Sequence, residues 1–103
     1  MNGEILWNSI ISGLSSPGDE LQTTPGLWFR ASSDNSKLYV DRADRNRPSS
    51  KLSMQRPISK DDFLFAYSYY ARWANGETGV RHEASKKSRN TAYIFALIDH
   101  FNK

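Results

Sequence analysis

A chain of 103 residues without cysteine has room for one compact domain, and it excludes both a disulfide framework and a thiolate zinc site. Aromatic residues make up 13% of a chain that is only 38% hydrophobic, so a few large rings must fill much of the core, which favours a folded chain over a disordered one. The net charge of +3 is unevenly placed: residues 1–29 hold Glu4, Asp19 and Glu20 and no lysine or arginine, and the rest, with 14 basic and 8 acidic side chains, carries +6.

The first expected element is a helix over 4–14, where Ile5, Leu6, Ile10, Ile11 and Leu14 recur at helical spacing before Ser15-Ser16-Pro17-Gly18 breaks the pattern. This N-terminal stretch lacks the basic start of a signal peptide. No apolar run approaches the roughly 20 residues needed to cross a bilayer. Both features point to a cytoplasmic protein that does not engage a membrane.

After a polar connection through Pro25-Gly26, a β-hairpin is expected over 27–41. Leu27, Phe29 and Ala31 share one face of its first strand, Asp34-Asn35-Ser36 supplies turn chemistry, and Lys37 to Asp41 returns. Residues 42–50 are polar and arginine-rich and read as an exposed loop. A third strand is expected over 51–56, with Leu52 and Met54 inward and Pro57 ending it.

Ser59 is placed to cap a helix over 60–74, with Asp61 and Asp62 in its first turn and Asn75-Gly76 as its stop. At about 100° per residue, Phe63, Ala66, Tyr67, Tyr70, Trp73 and Ala74 fall on one broad face. Phe65, Ser68, Tyr69 and Arg72 fall on the other. A short edge strand over 79–84 and a last helix over 91–101, built on Ile94, Leu97, Ile98 and Phe101, complete an α+β fold. A small antiparallel sheet packs against the helices.

The segment DDFLFAYSYYARWA, residues 61–74, has more rings than one helix face can bury. Phe65 and Tyr69 are an i, i+4 pair on the side that should face water. A second sheltered surface is therefore implied. Cover from elsewhere in the chain comes first, then a homodimer interface through Phe65, Tyr69, Arg72 and Trp73 with Trp7 nearby, then stacking on nucleobases. A small-ligand pocket lined by Tyr and Trp is a further alternative.

Basic segments 42–56 and 81–89 give the nucleic-acid alternative, in which Arg45, Arg47, Lys86, Lys87 and Arg89 would hold phosphate beside a helix N-terminus near Asn90. A solvated surface with acidic neighbours such as Asp41, Asp44 and Glu83 is the commoner pattern and the favoured account of them. His82 and His100 lack any metal-ligand spacing, and no nucleophile and base pair is recognisable, so the reading is of a non-enzymatic protein without a cofactor or metal. Glu83-Ala84-Ser85-Lys86 has one residue too many for a carboxylate-x-lysine nuclease site. Ser88 or Asn90 can cap the last helix, with Tyr93 at the flank of its apolar stripe.

The run Ser88-Arg89-Asn90-Thr91-Ala92-Tyr93-Ile94 resembles an S-R-N-x-x-Y-I element of small modules in mobile-element and restriction-type proteins. The short, cysteine-free chain is similar in character to the proteins carried on integron gene cassettes. That resemblance implies a small, frequently oligomeric α+β domain of unassigned function. It marks Ser88, Arg89, Asn90 and Tyr93 and no catalytic residue.

Overall fold

A computed structural model describes residues 3–14, 18–23, 26, 28–34, 37–43, 55–88 and 90–101. Its elements are α1 (Gly3–Gly13), β1 (Asp19–Gln22), β2 (Trp28–Asp34), β3 (Lys37–Arg42), β4 (Arg56–Ile58), α2 (Lys60–Ala74), α3 (Val80–Ser85) and α4 (Thr91–Phe101). The strands form one antiparallel sheet in the order β1-β2-β3-β4. The fold is α+β.

Alternation along the central strands decides which sheet face is covered. Phe29 and Ala31 on β2 and Leu38 and Val40 on β3 are fully buried, and their neighbours Trp28, Arg30 and Tyr39 are half-buried. The hairpin keeps Ala31 opposite Val40 and ends on Asp34 opposite Lys37. Leu27 and the turn at Asn35-Ser36 lie outside the described residues.

Helices α1 and α4 pack on the apolar face, α1 against β2 and α4 against β1, and α2 crosses both helices. Burial between two layers explains α4. Tyr93, Ile94, Phe95, Leu97 and Ile98 are all buried, more than the single stripe expected from spacing, and Phe101 is only half-buried. On α1 the buried set is Leu6, Trp7 and Ile10, with Leu14 just beyond; Ile5, expected inside, is 52% exposed.

Ser59 caps α2 as expected, its hydroxyl accepting from the Asp62 N–H at 3.0 Å. Three expectations are corrected. Residues 79–84 are not a strand but the short helix α3, entered through Gly79 at φ +78°, with the Glu83 N–H bonded to the Gly79 carbonyl at 2.9 Å. Val80 and Ala84, both buried, are four residues apart and share a face in a strand and in a helix alike, so the pattern does not distinguish the two.

The strand expected over 51–56 and ended by Pro57 is β4, which includes Pro57, whereas residues 51–54 lie outside the described residues. β4 is an edge strand, where a proline without an N–H is tolerated. The third correction is β1, a four-residue edge strand within what reads as a polar connection. It begins just after Gly18, whose φ is +131° and where a Cβ would come within 2.7 Å of the Ala31 carbonyl.

Candidate aromatic surface and polar junction

The broad face of α2 goes where its spacing directs except at Ala74, which is exposed at the last position of the helix. Phe63 and Ala66 are fully buried, and Tyr67, Tyr70 and Trp73 are half-buried against the core cluster. Trp7 stacks obliquely on Phe63, with ring centroids 5.3 Å apart. It belongs to the interior and lies on the side of α2 away from Phe65, which corrects its expected place beside the outer ring pair. Trp73 packs on Phe95 at 5.1 Å and on Tyr70 at 5.6 Å, so it borders the outer flank but is anchored inward.

On the outer flank, Phe65 and Tyr69 meet edge to face at 5.1 Å, the geometry that the ring quadrupoles favour. Tyr69 touches the core cluster; Phe65 stands outside it, half-buried. Two cations lie over these rings. The Arg72 guanidinium is 5.5 Å from the Tyr69 centroid, and Lys87 Nζ is 6.0 Å from that of Phe65. Intramolecular cover therefore exists, and a charged side chain supplies part of it.

Arg72 also ties α2 to the turn at its C-terminus and to α3. Its Nε donates to Glu77 Oε2 at 2.9 Å, its Nη2 reaches the same oxygen, and Nη2 lies 3.5 Å from Glu83 Oε2 on α3. The hydrogen bond from Arg72 holds the Glu77 carboxyl below its ordinary pKa, and the same bond raises that of Arg72. Both side chains are about half exposed, so solvent screens much of this pairing. Glu83 is thereby drawn towards Arg72, and its neighbour His82 is exposed.

The motif Ser88 to Tyr93 folds into a second constellation. The Asn90 N–H donates to Ser88 Oγ at 3.2 Å, Thr91 Oγ1 donates to the Ser88 carbonyl at 2.8 Å, and the Ile94 N–H donates to the Asn90 carbonyl at 2.9 Å. Asn90 thus stands at the N-cap position of α4, but its side chain leaves the helix. Nδ2 donates to Asp62 Oδ2 at 2.8 Å, and Oδ1 accepts from Arg56 Nη1 at 3.1 Å.

One amide therefore links β4, the first turn of α2 and the start of α4. Arg56 also lies 5.9 Å from the centroid of Tyr93, whose ring meets Phe29 at 5.1 Å. This junction lines a cleft of about 690 Å³ with Trp7, Leu38 and Ile58 in its wall and Lys37 and Lys60 at its rim. Lys60 is paired to Glu4 at 3.2 Å. Of the charged side chains that line the cleft, Lys37 and Lys60 face one carboxylate, Asp62, with Glu4 beside Lys60.

Of the residues singled out from sequence, Lys86 and Lys87 are exposed just after α3. Arg45, Arg47 and Arg89 lie outside the described residues. His82 and His100 are both exposed, and among the described residues no group of three or more His, Asp or Glu is gathered as a metal site would require. The Asn90 link to Asp62 and Arg56 was not legible from spacing, because its partners are 28 and 34 residues away.

The fold and these surfaces define a small α+β protein with a four-stranded antiparallel sheet covered by helices on its apolar face. No protein-family model matches the chain, and neither a curated protein nor a solved structure shows significant similarity to it. Among the described residues no helix is long and apolar enough to cross a membrane.

Proposed function

We propose that this protein is a non-enzymatic interaction module of the cytoplasm that associates with a second copy of itself through the outer flank of α2. The observation that carries the reading is Phe65, an aromatic ring outside the core cluster whose cover is Tyr69 and a lysine. Lys87 extends from an exposed position and can swing off the ring. A partner would then bury rigid aromatic surface at little entropic cost.

The charges beside the rings suit a two-fold contact. Arg72 lies next to Glu77 and Glu83, and Lys87 lies over Phe65, so rotation of a second copy can set the cations of one against the carboxylates of the other. The likeness to the frequently oligomeric proteins of integron cassettes points the same way. Sedimentation tests it: twice the chain mass is expected, with Phe65→Glu monomeric.

A second reading has one observation in its favour. Lys87 joins part of the basic segment to the aromatic pair, the combination that single-stranded nucleic acid engages by stacking and charge. Salt-sensitive binding lost in a Lys86→Glu, Lys87→Glu double variant would support it. No binding to DNA or RNA at low salt would remove it. Reproducible turnover abolished by changing His82 or Glu83 would overturn the non-enzymatic reading.

A further inference from the structure

A second cleft, of about 580 Å³, opens along the β1 edge of the sheet between β1 and α4 and shares Trp73 with the border of the outer flank of α2. Its volume falls in the range of small-molecule sites. Its lining combines the half-buried rings of Trp28 and Trp73, with the buried core ring of Phe95 packed on Trp73, and the carboxylates of Glu20 and Asp99. Among the described residues no lysine or arginine lines it, and the exposed His100 is its one basic side chain.

The two carboxylates differ in how they are held. Glu20 lies 3.6 Å from Arg30, its partner across the β1–β2 ladder, which offsets part of its charge. Asp99 accepts a hydrogen bond from the Tyr70 hydroxyl at 3.1 Å. A neutral donor orients a carboxylate without cancelling its charge, so Asp99 is the stronger anchor. Tyr70 in turn packs on Trp73 and edge-on to Phe95 at 5.7 Å, so the carboxylate and the aromatic wall are held by the same three rings.

We infer that this cleft is a binding site for a small organic cation, an alkylated or quaternary ammonium with an apolar body, which Trp73 and Trp28 receive and Asp99 anchors. Aromatic faces attract such a cation through their quadrupoles, and the poorly hydrated ammonium loses little on leaving water. An anion of the same size meets two carboxylates, against which His100 is the one side chain of the wall, among the described residues, that can carry a positive charge. The site uses Trp73 of α2 but needs neither Phe65 and Tyr69 nor self-association.

The chain holds three tryptophans, which makes the test internal. Trp28 and Trp73 line this cleft, whereas Trp7 lines the other one. The three indole N–H signals are followed by NMR as benzyltrimethylammonium, and separately phenylacetate, is titrated into the full chain. The cation is expected to shift Trp28 and Trp73 saturably and leave Trp7 in place, with no saturable shift from phenylacetate.

Asp99→Asn, which retains an acceptor for Tyr70, should weaken the cation about fivefold, and Glu20→Gln less. The absence of a saturable shift, equal binding of phenylacetate, or full affinity in the Asp99→Asn, Glu20→Gln double variant would each overturn the assignment. Unchanged indole positions in the unliganded variants serve as the check on folding.

Discussion

Phe63 and Phe65 are two residues apart on α2 and meet opposite fates. Phe63 is fully buried against Trp7, stacked at 6.4 Å with Tyr67, and surrounded by α1 and α4. Phe65 leans on Tyr69 and lies beneath a lysine. The helix is the same and so is the side chain, so the difference lies in what the neighbouring elements place against each flank. An apolar layer locks the inner ring; a short helix and its charged turn shelter the outer one only in part.

The largest expected effect tests that contrast directly. Phe63→Ala should cost about 3–5 kcal/mol of folding stability in urea denaturation, the usual loss for a fully buried phenylalanine. Phe65→Ala should cost about 1 kcal/mol or less, because a half-exposed side chain gives up less transfer free energy. Equal losses would show that the outer ring is as much a core residue as the inner one.

A smaller effect is expected at the polar junction, where Asn90→Ala leaves the Asp62 carboxylate and the Arg56 guanidinium without their shared amide. A loss of about 1–3 kcal/mol is predicted. Asn90→Asp would keep the bond to Arg56 but set a second carboxylate against Asp62, so it should be the more damaging of the two at neutral pH. A wild-type midpoint for both would contradict the role assigned to the junction.

Tyr70 offers a titration. Burial first, then its hydrogen bond to Asp99 and the charge of that carboxylate, raise the phenol above its ordinary pKa of 10.0. Since the folded-state value is the higher one, the stabilisation is complete below pH 10 and is lost as pH rises through the folded-state value. Asp99→Asn should bring the Tyr70 titration, followed by NMR, down towards its ordinary value but not onto it, because burial persists. No change would mean that the hydrogen bond contributes nothing.

The smallest effect belongs to the ion pairs beside the outer rings. The Glu77 carboxyl is held low by Arg72, so its contribution is present above the ordinary carboxylate range and fades as pH falls through the folded-state value. With both groups solvated, Glu77→Gln should leave the urea midpoint almost unmoved at neutral pH.

What could be read from the sequence divides along the same lines as the two flanks. The hairpin was legible because Phe29, Ala31, Leu38 and Val40 alternate, and α2 because Ser59, two aspartates and a helical stripe agree. β1 was not: of Asp19-Glu20-Leu21-Gln22 only Leu21 is buried, and a strand that exists by pairing with β2 carries no periodicity of its own. α3 reads as a strand because so short a segment cannot show a second helical turn's worth of pattern. At the candidate surfaces, the Phe65–Tyr69 pair followed from i, i+4 spacing, whereas the approach of Lys87 to Phe65 depends on how α3 folds back, which no local pattern encodes.

The measurement that bears most directly on the proposed self-association is sedimentation velocity of the wild-type chain and Phe65→Glu across a dilution series at micromolar concentration. The wild type is predicted to sediment at about twice the 11.8 kDa chain mass and the variant, folded by circular dichroism, at the chain mass. A wild type that sediments as a monomer throughout, or a Phe65→Glu variant that remains a dimer, would contradict it.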